Sequence, residues 1–452
     1  MLLFEREIEV QIASTPGNGS GLMSYLSTKV ADALAPNETP VRFVVSESDG
    51  GRYRCEVGLM VGNGRAIGDS IFRFERRPVE NAETFNAALV VPTGIGAEIG
   101  GHAGDATPVA GLLAAACDTL VTHPNVVNAS DVIDLPPNAL YVEGSVLSRL
   151  LMGTVGLQGV RGNRLLVVID SHEDELFRHA AINSVSAARA SYGLSGGDVI
   201  ELETPLVMDS RFTSTGRATG RVEGLDGLLT TLDDRLGTYD ALAVSSRIEV
   251  PESYHVEYFE LAGEMVNPWG GVEAMLTHAL STLYDVPSAH SPMMESRAVA
   301  NMDPGVVDSR MAAEAVSLTF LQCILKGLQR SPRIVTDAEA MRHHSVMTAS
   351  EVSCLVIPDG CIGLPTLAAL EQGIPVIAVR ENRNLMRNDL AALPWSPGQF
   401  HAVENYWEAA GVMSALRAGI DPQSVRRPIS PTNVSKSVGK SAEAFAERLL
   451  PF

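Results

Sequence analysis

Three groups of side chains in this sequence have types and spacing suited to chemistry. The first spans residues 90–131, VVPTGIGAEIGGHAGDATPVAGLLAAACDTLVTHPNVVNASD. There an apolar strand leads into a loop with five glycines, then a helix, then a second apolar strand ending in Thr122-His123-Pro124-Asn125. Glycine admits positive φ and lets the backbone approach a ligand closely. A helix start offers unpaired N–H groups that attract an anion. Thr93, Gly94, Gly96, Gly100, Gly101 and His102 are therefore candidate binding residues, with Asn125, Asn128 and, in the stretch ALYVEG, Glu143. His123 sits at a strand end, where packing explains an imidazole poorly, and is the candidate general acid/base. Asp105 either shares that chemistry or caps the helix that follows it. A tight strand–helix turn without a ligand is the other reading of the glycines.

The spacing of Gly94, Gly96 and Gly100 is G-x-G-x-x-x-G, not the dinucleotide pattern G-x-G-x-x-G, and THPN stands where an acidic ribose contact belongs. The lysine-bearing phosphate loop is missing as well. No HxH, HxxxH or HExxH spacing marks a metal site. The expectation is a carboxylate, phosphate or sugar-like ligand with no cofactor, a metal ion being left open.

The second group is Asp359-Gly360-Cys361, on the turn from VSCLVIP into PTLAALEQG. A thiol at a helix start has a lowered pKa, which makes Cys361 a candidate nucleophile or second base beside Asp359. A small buried turn residue is the alternative. The third group, Arg380-Glu381-Asn382, follows the strand IPVIAV, and Arg380 is placed to pair with a substrate carboxylate. A solvated loop is the alternative there. Residues 211–221, RFTSTGRATGR, either close over an anionic ligand or form a surface hairpin. The acidic run over 170–175 reads as a helix start.

The elements that must position these residues follow from apolar periodicity. LLFEREIEVQIA, PVRFVVSES and YRCEVGLMV read as strands around the helical stretch GLMSYLSTKVADAL, giving a small N-terminal α/β unit over 1–80. NAALVVP, DTLVTHP, NALYVEG, RLLVVID and YDALAVS are short continuous apolar runs, the mark of parallel strands buried on both faces. They define a first α/β domain over 81–250. A second, over 251–452, carries a helix expected from Asp303-Pro304 to Pro332, then RIVT, VSCLVIP and IPVIAV, and a terminal amphipathic helix over 434–450. The segments PTGIG and PWGGV, each followed by a helix and a histidine-bearing strand end, echo one another. The expected class is α/β, with two Rossmann-like, doubly wound, mostly parallel halves facing each other across a cleft.

With 34 basic against 54 acidic residues and a formal charge of −20, nucleic acid and anionic membranes are poor partners. An anionic small molecule needs a local cluster of arginines and amides. Five cysteines without a CxxC pair read as reduced thiols. The charged start MLLFEREIEVQ lacks a signal-peptide core, and no apolar run reaches membrane length, so the cytoplasm is the expected location. Nothing in the composition opposes a homo-oligomer.

The stretches PTGIGAEIGGHAGDA, LVTHPNVVNASD, ALYVEG and PVIAVRENRN together resemble a family of uncharacterised bacterial, cyanobacterial and plant proteins, over roughly residues 85–420. That resemblance implies a site within 94–131 and no activity, cofactor or catalytic residue. Gly360-Cys361 followed by Gly373-Ile374-Pro375-Val376 is similar to the cysteine turn of the aspartate/glutamate racemase superfamily. A racemase needs a second cysteine from the opposite half, and THPN supplies none. The expected function is a cytosolic enzyme acting on a small carboxylate-bearing metabolite by acid/base chemistry, Cys361 being an optional participant, with lyase or isomerase favoured. An amide hydrolase and a non-catalytic binding or regulatory protein are the alternatives; a nucleotide-dependent enzyme fits least.

Overall fold

The computed structural model describes residues 1–12, 21–62, 70–77, 79–127, 135–261, 264–317, 320–429, 431–432 and 434. Alternating residues make Leu2–Gln11, Glu38–Asp49 and Arg52–Val61 strands of one antiparallel sheet, paired from Leu2↔Val61 to Gln11↔Arg52 and joined by the turn at Gly50 and Gly51. Leu22, Met23, Leu26 and Val30 of the helix Leu22–Asp32 are buried in the core beside that sheet. The sheet does not stay local. The hairpin Val207–Phe212 and Ala218–Glu223 extends one edge, and Ile362–Gly363 extends the other. Residues 211–221, read as a lid or a hairpin, form the hairpin.

The continuous apolar runs do become parallel strands. A six-stranded parallel sheet has the order Phe400–Val403, Val376–Val379, Val352–Pro358, Asn86–Leu89, Thr119–Thr122, Ala139–Tyr141. Asn86–Leu89 and Val376–Val379 are buried at every position, as strands covered on both faces must be. Chain order runs outward in both directions from the central pair Asn86–Leu89 and Val352–Pro358. Ligands of open parallel sheets bind at the carboxyl ends beside such a reversal. A four-stranded parallel sheet holds Ser288–Met293, Ala241–Arg247, Leu165–Ile169 and Gly196–Glu201. A small antiparallel sheet joins Arg333–Val335, Gly156–Gln158 and Val346–Met347.

The protein is thus α/β with mostly parallel sheets, but the chain takes a different route from one sheet per stretch. The larger sheet draws three strands from 86–141 and three from 352–403. The expected border near 250 falls between two strands paired from Leu242↔Ser288 to Arg247↔Met293. Two compact units emerge, 1–414 and 415–452, the first containing all four sheets. In the second, Asp421 caps the 3-10 turn Pro422–Val425.

The helix expected from Asp303 to Pro332 starts later and is interrupted. Ala312–Val316 and Phe320–Arg330 are helical, with Ser317 extended between them. Ahead of them the Asp303 carboxylate takes the Gly305 N–H, Asp308 takes the Arg310 N–H, and Gly305 has φ +67°. Side-chain acceptors that satisfy local amides favour turns over a helix. The terminal helix expected over 434–450 and the candidate Asn128 lie outside the described residues, apart from Val434.

Candidate functional site

A cavity of about 230 Å³ opens at the carboxyl edge of the six-stranded sheet, beside its reversal point. The strands supply its wall in register. Pro92 and Thr93 follow one, His123 and Asn125 the next, Glu143 the third, and Ile357 and Cys361 come from the other side of the central pair. Three helices bring their first turns to the same space: Gly144–Leu151, Gly270–Tyr284 and Leu364–Gln372. Aligned peptide dipoles make all three helix starts weakly positive. The antiparallel sheet adds Arg42 and Arg217.

Glu143 is the N-cap of the Gly144–Leu151 helix. One carboxylate oxygen accepts the Ser145 N–H at 2.7 Å and the Ser145 hydroxyl; the other lies 2.6 Å from His278 Nδ1 and accepts from Thr277 at 3.3 Å. Burial raises its pKa, but His278 and Ser145 outweigh that and hold it below the ordinary range. A carboxylate this close to Nδ1 favours the tautomer with its hydrogen there, which leaves the Nε2 lone pair for base chemistry in a ring on the cavity wall. No other partner of Nε2 is found among the described residues. Gly144 is needed beside it, since a Cβ there would lie 2.9 Å from His278 Cε1.

His123 is built differently. Its Nε2 accepts the Val91 N–H at 3.2 Å, so the ring's hydrogen is on Nδ1 and its lone pair is used. Burial pushes its pKa down to about 4, with the His278 ring adding to the effect and Glu143 opposing it. The ring is a neutral hydrogen-bond donor and has no free lone pair for base chemistry. Asn125 links the loop to the sheet: its amide donates to Val91 and Gly100 carbonyls, and it accepts from Thr93 at 2.9 Å.

A second histidine–carboxylate pair faces the cavity. His290 Nδ1 lies 2.9 Å from Glu273 Oε1, and its Nε2 lies 2.8 Å from the Ser246 hydroxyl. This has the order of a serine–histidine–carboxylate triad. Ser246 is fully buried and is not on the cavity wall, so its hydroxyl orients the ring.

Arg217 is fully buried and bonded to Glu56 and Glu5; burial lowers its pKa to about 9. Arg42 is 8% exposed, yet its nearest partners among the described residues are the Gly271 carbonyl at 3.5 Å and Glu5 at 3.7 Å. Arg217 has its counter-charges in place. Arg42 has spare donors directed at the cavity.

Among the described residues, the glycine loop touches this space through Thr93, Ile95 and Ala103 and through none of its glycines. Gly94 has φ +71°, and a Cβ there would meet the Ala218 carbonyl at 2.9 Å; Gly100 has φ +88° and would meet Val91 at 2.7 Å. Gly96 and Gly101 are likewise crowded by Val266 and Ala97. These four glycines let the loop pack on protein, not on a ligand. His102 donates from Nδ1 to Tyr258 at 2.7 Å, and Tyr258 donates to Glu314 at 2.7 Å. Burial lowers the His102 pKa to about 4. Asp105 accepts the Gly100 N–H at 2.8 Å, and the helix Thr107–Ala115 has no side-chain cap, so Asp105 braces the loop and does not cap the helix. Burial raises its pKa to about 7. His102 and Asp105 both lie off the cavity wall.

The second and third groups separate in the same way. Cys361 is on the wall but three residues ahead of the Leu364–Gln372 helix, and burial raises its thiol far above the reactive range. Asp359 turns back onto the Gly360 N–H. Arg380 is exposed and paired with Glu404 at 2.7 Å, and Glu381 is exposed. Asn382 is buried and clamps Ile99 through its N–H and its carbonyl, each at 2.9 Å. None of Asp359, Arg380, Glu381 and Asn382 lines the cavity. Of the expected residues, Thr93, His123, Asn125, Glu143 and Cys361 meet there; Arg217 comes from the 211–221 segment offered as a loop over an anion, and Arg42, Glu273, His278 and His290 were not named as site residues. No cluster of three metal-ligating side chains occurs among the described residues.

Residues 86–426 match the family described as "Protein of unknown function (DUF3326)". The chain belongs to that family. A relative from Synechococcus sp., named an uncharacterized lipoprotein, is 34% identical over 345 residues, which is 75% of this chain and 92% of the relative. That name overturns the expectation of a cytoplasmic protein, which rested on charges near the start of the sequence. No helix among the described residues is long and apolar enough to cross a membrane. No solved structure matches the chain.

Proposed function

We propose that this protein binds a small carboxylate-bearing metabolite in the cavity beside the sheet reversal, with Arg42 as the anion anchor and His278 as the general acid/base. The observation that carries the reading is Arg42, a charge more than nine-tenths buried on the cavity wall, whose nearest carboxylate, Glu5, stands 3.7 Å away and is itself bonded to Arg217. A buried charge whose one partner is long and shared is costly, and an incoming carboxylate lowers that cost. The three helix starts favour the same sign of ligand. The Nδ1–H of His123 as donor and the Thr93 hydroxyl oxygen as acceptor, its own hydrogen going to Asn125, orient the bound molecule.

His278, held by Glu143, takes a proton from the bound metabolite on Nε2 and returns it there, which fits lyase or isomerase chemistry next to a carboxylate. Amide hydrolysis is less well supported, because the two nucleophile candidates are a neutral buried thiol and a hydroxyl off the wall. A non-catalytic binding protein shares the cavity and differs only in yielding no product. The doubly wound strand order supports the ligand position, and the relative's name supports a place for this chain at a membrane surface or outside the cytoplasm.

Calorimetric titration with short mono- and dicarboxylates tests the anchor. Wild type should bind, Arg42→Lys should bind more weakly and Arg42→Gln should lose most affinity at unchanged melting temperature. Equal affinity in wild type and Arg42→Gln would remove the anchor. Mass-spectrometric identification of a co-purifying acid would name the ligand.

A further inference from the structure

A second chamber of about 370 Å³ adjoins the first and shares Ala103, Asn267, Glu273 and His290 with it. Its lining differs in kind. Tyr258 and Trp269 stand edge to face with ring centroids 5.2 Å apart, and Met293, Met294, Met302 and Phe320 complete an apolar wall. No lysine or arginine lines it among the described residues. It has no place for a second anion.

Its carboxylates are already engaged. Glu314 accepts from Tyr258 and Ala103, Glu295 takes the Val250 N–H and lies 3.2 Å from His255, and Glu273 pairs with His290. Each of these carboxylates thus has a partner within the protein, and most of the remaining wall is apolar. Methionine and aromatic side chains suit a flexible or flat apolar group, since methionine adapts its shape and rings offer large surfaces.

Resting on the carboxylate reading above, we propose that the ligand is bipartite, with a carboxylate in the Arg42 chamber and an aliphatic or aromatic tail reaching past Glu273 into the Trp269 chamber. The substrate class is then a medium-length or aryl-bearing carboxylic acid, not a compact polyacid. Glu273 and Asn267, at the shared border, meet the middle of the molecule.

The experiment titrates the full chain with acetate, butyrate, hexanoate, octanoate and 4-phenylbutyrate, with the matching alcohols, and with a phenylpropyl trimethylammonium salt. Intrinsic tryptophan fluorescence and calorimetry are the readouts. Affinity should rise about fourfold per added methylene up to the length of the chamber, the gain expected from burying one such group. Ala315→Trp and Val299→Trp, which narrow the chamber from two walls, should abolish that increment while acetate binding and melting temperature persist. Arg42→Gln should weaken every acid and leave the increment.

Acids that bind with no length dependence, or an increment that survives both narrowing variants, would overturn the tail chamber alone. Acids and alcohols that bind equally, with a normal increment, would keep the chamber and sink the Arg42 anchor. If neither class binds, both readings fall. If the ammonium salt binds more tightly than the acid, the apolar tail gives way to an organic cation.

Discussion

His123 and His278 face one cavity and have the same side chain, yet the structure makes them different reagents. His123 sits at the end of Thr119–Thr122, spends its lone pair on the Val91 N–H and stays neutral through burial. His278 sits inside the Gly270–Tyr284 helix, where Glu143 lies against its Nδ1 and the ring lines the cavity. The lesson is that the partner of the other nitrogen, not the location of the ring, decides what an imidazole can do. Arg42 and Arg217 repeat that lesson for cations.

The largest expected effect falls on His278. On any substrate this protein turns over, His278→Gln should lower kcat by about 10²–10⁴-fold with the melting temperature held. His123→Gln should cost far less, because glutamine keeps an acceptor for Val91. Equal losses in steady-state assays of the two variants would erase the distinction. Next come the arginines. Arg217→Met should cost about 3–5 kcal/mol in denaturant unfolding by stranding Glu5 and Glu56, whereas Arg42→Met should cost little stability and most of the ligand affinity.

A smaller effect lies in pH. His123 has a folded pKa of about 4 against an ordinary 6.5, so the unfolded chain takes up the proton first. Its contribution to stability is full above pH 6.5 and is lost as pH falls toward 4. Asp105, raised to about 7 from 3.8, works in the other direction: its contribution is full below 3.8 and is lost as pH rises toward 7. Melting curves from pH 4 to 8 should therefore show His123→Gln flattening the acid limb. Asp105→Asn should gain on wild type as pH rises, by on the order of 1–3 kcal/mol. The opposite slope for Asp105→Asn would mean its carboxylate is charged in the fold. A modest stability change concerns the loop. Gly94→Ala should cost about 1–2 kcal/mol from its left-handed backbone and leave carboxylate affinity unchanged; selective loss of affinity would restore the loop as a ligand cradle.

Much of the scaffold was legible because it depends on local pattern. Val376–Val379 is an apolar strand buried at every position, and Asn86–Leu89 and Thr119–Thr122 bury apolar centres between polar ends, so short apolar runs marked all three. THPN stands at a strand end, and His123, Pro124 and Asn125 line the cavity. The arginines were hidden for the converse reason. Arg42 in VRFVV looks like the polar position of an alternating strand, and only pairing with Arg52–Val61 and packing against Gly271 show that it points inward. His278 in LTHALS has no local signal, because its partner Glu143 is distant in sequence. The His290 strand end was noticed only as an echo of THP. The glycine loop is ambiguous in sequence because tight packing and ligand binding ask the same thing of a backbone, and Gly94 against Ala218 accounts for one of its glycines by packing.

The central strand pair of the larger sheet has a consequence for how the protein comes into being. The Asn86 N–H bonds to the Ser353 hydroxyl, 267 residues away in sequence. Until the chain has been synthesised past that point, Asn86–Leu89 presents an open edge of unpaired, apolar backbone. Closing so long a loop is a slow step, and an open edge invites pairing with another copy. During synthesis, then, the nascent chain carries half of a sheet and no cavity, and a product truncated before residue 352 would aggregate instead of binding weakly.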